Sequence, residues 1–254
     1  MGSEGAGATR SGDAFHNEDA FLVSDELGLY VVCDGASAEP AGETAASLAV
    51  AAVEDYVARA PAGEGPVDWL RGDGTETAEA ALRHAIRALL EGQRLDPSLR
   101  GMATTLTMLL VRGERGAIGH LGDSRAYLIR RRRVHQLTAD SDLTRALGEG
   151  ARPGEPAQLF SIELEPSDRL LLCTDGAESV VEDDTAIARV AADLSPAVLA
   201  SRIASAAHRR NPGVDATVVA VRVAGDEGHH DLSLPGRDAS FRHRVLERRS
   251  GSKR

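Results

Sequence analysis

The chain has 254 residues, 42% of them hydrophobic, enough for one packed domain with tails. Its formal net charge of −10 speaks against general nucleic-acid or anionic-membrane binding, and 39 acidic against 29 basic residues fit an ordinary soluble protein. No apolar stretch approaches the ~20 residues of a bilayer span, and the opening "MGSEGAGATRSG" lacks the basic-then-apolar order of a secretory signal, so a cytoplasmic monomer without a membrane span is expected.

Residues 1–8, small and polar, read as a flexible N-terminus ahead of a domain over 9–224. "AFLVSDELGLYVVCD" (20–34) holds two apolar runs around a Leu-Gly turn, the pattern of a hairpin. "GETAASLAVAAVEDYVARA" (42–60) and "ETAEAALRHAIRALLEGQRL" (76–95) place Ala, Leu and Val on a helical period, on either side of a Pro/Gly-rich connector at 61–74. The stretch 104–138 changes texture to short apolar runs between Gly-containing turns, an antiparallel meander. A Gly/Pro-rich loop at 148–157 leads to two strand-like runs, "QLFSIELE" (158–165) and "RLLLCT" (169–174). Helical patterns occupy 184–193 and 196–209, and "DATVVAVRV" (215–223) closes the domain as a strand. Strand blocks with helices between them define an α+β layered domain. The tail from 225 has no amphipathic period and is expected to be disordered, with "RHRVLERR" (242–249) a candidate short helix for a partner. It holds five acids and seven bases, so the acidity belongs to the domain.

Two apolar runs end in the same way, "LYVVCDG" (29–35) and "RLLLCTDG" (169–176). One Asp-Gly is usually only a turn, since Asp caps locally and Gly tolerates positive φ. Here Asp34, Asp123, Asp175 and Asp215 all stand where an apolar β-like run meets a turn, and Glu18 and Asp19 precede the first such run. Carboxylates gathered at one sheet edge repel unless a cation lies between them. An all-oxygen set without a His/Cys cluster selects hard ions such as Mg²⁺ or Mn²⁺. Two such ions about 4 Å apart are a device for phosphate-ester hydrolysis. From the residues alone, the reading stops at a candidate dimetal hydrolase.

The ordered set "NEDA" (17–20), "VVCDGASAEPAGETAAS" (31–47), "GMATTLTMLLV" (101–111), "GHLGDSRAYLI" (119–129), "QLTAD" (136–140), "DRLLLCTDG" (168–176) and "DATVVAVRV" (215–223) resembles the type 2C metal-dependent serine/threonine protein phosphatases, in bacterial form. The resemblance covers about residues 9–224 and implies a four-layer αββα sandwich, two antiparallel sheets flanked by helices with metals at one end. It implies that Asp34 bridges two Mn²⁺ or Mg²⁺ ions and that the Gly35 carbonyl ligates one. Asp175 and Asp215 would complete the catalytic frame, and Glu18 would reach a metal directly or through water, with Asp19 behind it. Asp123 would share a third ion with Asp175. Glu43, at the start of the first helix, matches a structural position. The implied reaction is hydrolysis of phosphoserine or phosphothreonine on proteins phosphorylated by a serine/threonine kinase.

Three positions depart from the family pattern. The phosphate-gripping arginine four residues before Glu18 is replaced by Ala14, leaving Arg10 as the nearest substrate-binding candidate. A histidine that eukaryotic members carry two residues after the bridging aspartate is Ala36, and the Asn after the last aspartate is Ala216. The segment 142–162, where many members place a flap, is short. Ala14 and Ala216 motivate one rival reading, a weakly catalytic module that binds phosphoproteins; a second keeps the chemistry and changes the substrate to a small phosphate ester.

Other residues carry a plain reading beside a sharper one. Arg130 to Arg133 read as a solvated charged turn or as a docking patch for acidic partners. His120 reads as a core histidine and His16 as a loop residue near the substrate. Cys33 and Cys173, the only cysteines, read as small core residues, with redox control of the adjoining metals as the sharper alternative.

Overall fold

Gly2–Arg10 is the first strand, β1, in the computed structural model, which describes residues 2–13, 16–35, 41–59, 72–141, 147–148, 157–183 and 185–225. The expectation of a flexible segment over 1–8 is therefore corrected for residues 2–8. A Gly/Ala-rich stretch with little β propensity is held because it pairs along its whole length with the last strand, β12 (Ala216–Ala224), from Gly2 opposite Ala224 to Arg10 opposite Ala216. Two of its glycines are set by space: a Cβ on Gly5 would stand 2.3 Å from the Tyr30 ring, and one on Gly7 2.1 Å from the Phe21 ring.

The expected hairpin is present as β2 (Asp19–Ser24) and β3 (Leu29–Asp34), followed by helices α1 (Ala41–Arg59) and α2 (Thr75–Leu95). The meander comprises β4 (Ala103–Thr104), β5 (Leu106–Arg112), β6 (Arg115–Leu121), β7 (Arg125–Arg130) and β8 (Arg133–Gln136). A two-residue strand β9 (Leu147–Gly148) pairs with β4. The later strands are β10 (Gln158–Glu163) and β11 (Arg169–Cys173). Helix α3 (Asp175–Asp183), absent from the sequence reading because Asp-Gly resembles a turn, precedes α4 (Thr185–Val190) and α5 (Pro196–Arg210). Helix α5 has a regular start, with the Ser195 hydroxyl accepting from the Val198 amide and Pro196 in the first turn.

Two antiparallel five-stranded sheets run in the orders β1-β12-β11-β7-β8 and β10-β6-β5-β3-β2. Strand parity distributes their side chains. Leu29, Val31 and Cys33 pack with α1 and α2, whereas Tyr30 and Val32 face the other sheet, together with Leu128, Leu170, Leu172, Val219 and Val221. Leu171, Cys173, Val218 and Ala220 pack on α3 and α5. Strands covered on both faces need apolar residues at every position, which explains the continuous runs seen in the sequence. The order of layers is helix, sheet, sheet, helix, as expected. Among the described residues no helix is long and apolar enough to cross a membrane.

The arginine run folds as the β7–β8 turn. Arg131 and Arg132 take left-handed φ values of 52° and 61°. Arg130 turns inward, its guanidinium donating to the buried Asp168 carboxylate at 2.8 and 2.5 Å and to the Glu163 carbonyl at 2.8 Å. One of the four arginines is thus a structural anchor.

Candidate metal centre

Asp34, the last residue of β3, lies opposite Asp19, the first of β2. Its backbone is fastened on both sides: the amide donates to Thr105 Oγ1 at 2.9 Å, and the carbonyl accepts from the Thr105 amide at 2.9 Å and Thr104 Oγ1 at 2.8 Å. The carboxylate is therefore presented from a fixed main chain. Gly35 follows with its amide donating to the Glu18 carbonyl at 3.1 Å. A Cβ there would meet the Gly42 carbonyl at 2.4 Å and the Glu18 carbonyl at 2.8 Å, so no other residue fits. The Glu18 carboxylate in turn lies against the first turn of α1, within 2.7 to 2.8 Å of where a Gly42 Cβ would be.

On the other sheet Asp175 begins α3, directly after β11. The preceding Thr174 is a junction: its amide donates to the Thr217 carbonyl at 3.1 Å, and its hydroxyl accepts from the Thr217 amide at 3.0 Å and donates to Asp19 Oδ2 at 2.9 Å. Thr217 Oγ1 donates to Thr9 Oγ1 at 2.8 Å, which also accepts from the Asn17 amide group at 2.7 Å. This threonine network links the sheets behind the carboxylates. Asp215 accepts from the Gly12 amide at 2.7 Å and the Glu18 amide at 2.8 Å, one bond to each oxygen. It thereby shapes the β1–β2 loop that delivers Glu18.

Burial, then repulsion from Asp19, Asp175, Asp123 and Asp215, holds the Asp34 carboxyl well above the ordinary aspartate range. Asp19 is shifted in the same direction, chiefly by burial, against hydrogen bonds from threonine that favour its ionised form. Asp123 is raised by burial and by Asp175. Asp19 Oδ1 is buried without a hydrogen-bond partner. Buried acids that raise one another's pKa are short of positive charge, and a hard divalent cation matches an all-oxygen donor set. As the side chains stand, no three Asp, Glu, His or Cys groups among the described residues are placed to hold one ion together. The residues fit Mn²⁺ or Mg²⁺ by the chemistry of their donors, with Asp215 having to share oxygens now given to amides.

Asp34, Gly35, Asp175, Asp215, Asp123, Glu18 and Asp19 are thus brought to one end of the sandwich. Arg10 is not brought in with them. Gly5 and Gly7 face the opposite sheet, so even-numbered residues of β1 face the helices. Arg10 accordingly donates Nη2 to Ser205 Oγ of α5 at 3.2 Å and Nη1 to the Thr9 carbonyl at 2.8 Å. This turns its guanidinium away from the carboxylates, contrary to its expected place as phosphate grip. Ala14, Ala36, most of the 142–162 segment and the tail beyond 225 lie outside the described residues. His16 stands 3.6 Å from Glu43 on α1. His120 is fully buried, with Nδ1 2.9 Å from Thr107 Oγ1, the expected core histidine. Cys33 and Cys173 are fully buried, and burial pushes both thiols up, which removes the basis for redox control. The roles of Thr174, Thr217 and Thr105 were not legible in the sequence, where threonine in a β-rich stretch signals only strand.

Residues 6–208 match the model of the family described as Protein phosphatase 2C, and the chain belongs to that family. It is 31% identical over 215 residues to the serine/threonine protein phosphatase PstP of Mycobacterium tuberculosis, covering 76% of this chain and 38% of that protein. It is 30% identical over 176 residues to the serine/threonine phosphatase stp of Listeria welshimeri, covering 67% and 65%. The crystal structure of the Mycobacterium tuberculosis phosphatase PstP/Ppp superimposes with a TM-score of 0.76 at 28% identity, over 89% of this chain and 100% of that one. A second structure, the PstP catalytic domain in complex with two manganese ions, gives a TM-score of 0.75 at 28% identity, over 88% and 99%. The chain spans 38% of the length of the curated mycobacterial relative.

Proposed function

We propose that the chain is a Mn²⁺- or Mg²⁺-dependent phosphatase acting on phosphoserine and phosphothreonine in proteins. One observation carries this: Asp19, Asp34, Asp175 and Asp215 gather at one end of a protein phosphatase 2C fold, where burial, then repulsion from its acidic neighbours, raises the Asp34 carboxyl. Asp34, the Gly35 carbonyl, Asp175 and Asp215 would hold two ions, with Glu18 reaching one directly or through water. Asp123 and Asp175 would share a third. When bound, such ions supply Lewis acidity that activates a water and offsets charge on the phosphoryl oxygens.

The chain's own residues supply position. Thr104 and Thr105 fix the Asp34 main chain, Thr174 orients Asp19 beside it, and Asp215 holds the loop carrying Glu18. The names of the mycobacterial and listerial relatives support a phosphoprotein substrate. The opposing enzyme would be a serine/threonine kinase, and the protein a cytoplasmic monomer. The direction of Arg10 leaves no phosphate-gripping arginine among the expected positions. That favours, as a second reading, a module that binds phosphoproteins with little turnover.

The test is release of phosphate from phosphothreonine peptides and from small aryl phosphates, compared by kcat/KM. Preference for peptide supports the proposal, and preference for the small ester moves the substrate class. Peptide binding without turnover at saturating Mn²⁺ supports the module.

A further inference from the structure

Three segments meet at Arg125, the first residue of β7. From the segment after β8, Asp140 accepts from Nε at 2.7 Å and from Nη2 at 2.5 Å. From α3, Glu182 accepts from Nη1 at 2.5 Å, and Glu178 lies 3.2 Å from Nε. The Arg125 and Glu178 side chains are 17% and 15% exposed, so that contact is largely shielded from solvent, whereas Asp140 and Glu182 stand at its exposed rim. Just before Arg125, the turn bearing Asp123 is bound to the same neighbouring segment. Ser141 donates its amide to the Gly122 carbonyl at 2.7 Å, and Gly122 donates its amide to Ser141 Oγ at 2.9 Å.

These contacts bear on two proposed ligands. Asp123 stands two residues before Arg125, and Asp175 stands three residues before Glu178, one helical turn away on the same face of α3. The two aspartates repel each other, and among the described residues no hydrogen bond or ion pair ties the Asp123 turn to α3 apart from those made by Arg125. Three acids surround Arg125, so its positive charge is compensated where a free one would repel a cation.

We propose that Arg125 and Glu178 are positioning residues that set the separation of Asp123 and Asp175, and with it the affinity for the cation those two would share. The proposal rests on the metal-dependent reading above. Removing Arg125 leaves Asp140, Glu178 and Glu182 uncompensated and frees α3 to move its first turn away from the Asp123 turn.

The test is a Mn²⁺ titration followed by calorimetry and by the Mn²⁺ spin-resonance signal, on wild type, Glu178→Gln, Arg125→Gln and the double variant. Each single variant is expected to lose roughly tenfold in affinity for one ion of the set, the scale of loss when a ligand's supporting partner is removed. The double variant should bind no more weakly than Arg125→Gln alone, because the two residues act through one another. Glu178→Gln keeps shape and helix propensity, so it carries the test if Arg125→Gln fails to fold. Mn²⁺ affinities within about twofold of wild type, alongside a lower melting temperature in chelator, would make the tie purely structural and overturn the proposal. A wild type that binds Mn²⁺ but leaves phosphopeptide intact removes the phosphatase reading and leaves this one standing. A wild type that binds no Mn²⁺ removes both.

Discussion

Gly176 and Asp215 are in backbone contact: a Cβ on Gly176 would stand 2.0 Å from the Asp215 carbonyl oxygen. The contact presses the first turn of α3 against the start of β12, and so sets Asp175 beside Asp215. The glycine of the second Asp-Gly is thus required by space, as Gly35 is by the Gly42 and Glu18 carbonyls.

Gly176→Ala should therefore push the Asp215 main chain away and disturb its bonds to the Gly12 and Glu18 amides. The expected cost is about 1–3 kcal/mol, as for other overpacked sites, with at least a tenfold loss of Mn²⁺ affinity. Chemical unfolding and a Mn²⁺ titration check it. An alanine variant with wild-type values in both would show that the contact positions nothing.

Asp34→Asn should separate stability from function. The aspartate is buried among acids that raise its pKa, so a neutral isostere relieves repulsion in the ion-free protein. In chelator the variant should melt a few degrees above wild type, about the shift of 1 kcal/mol in a domain of this size. Added Mn²⁺ should raise the wild-type melting temperature and leave the variant nearly unmoved.

Burial holds His120 down to about 4, against an ordinary histidine value of about 6.5. Between those values the unfolded chain binds the proton that the folded protein refuses. Unfolding free energy then rises with pH across the window and is fully regained above it. Over the whole window the effect is about 3 kcal/mol, the free energy of a shift of this size. Urea unfolding at pH 4.5 and 6.5 should show a shallower pH slope in His120→Gln than in wild type, whatever the absolute stability of the variant.

The β7–β8 turn places two arginines at positive φ, where Asn-Gly is the preferred pair. Replacing Arg131 by Asn and Arg132 by Gly should stabilise the protein by about 1 kcal/mol, the order of left-handed strain at a non-glycine residue. The lost contact between Arg131 and Glu165, 3.7 Å apart on the surface, contributes little. A rise in the urea midpoint at unchanged slope is the expected observation.

Much of this architecture was legible because the chemistry is local. The runs before Asp34 and Asp175 are apolar at every position since β3 and β11 are covered on both faces, and that same rigidity marks where each carboxylate emerges. Strand β1 was not legible, because its Gly/Ala composition answers to the rings of Tyr30 and Phe21 on the other sheet, a contact made across the fold. Missing β1 also hid the direction of Arg10, which follows from strand parity once Gly5 and Gly7 are known to face inward. Helix α3 was missed because its first two residues have the composition of a turn. The clasp at Arg125 joins it to Asp140, Glu178 and Glu182, 15, 53 and 57 positions away, and sequence spacing carries no sign of it.

The most direct test of the central claim is phosphate release from a phosphothreonine peptide by wild type and Asp175→Asn, each with Mn²⁺ and with chelator. The account predicts turnover by wild type with Mn²⁺ alone, and loss of at least a hundredfold in the variant, the upper scale of effects at a metal's support and less than expected of a ligand. Turnover that persists in chelator, or that survives Asp175→Asn, would contradict it.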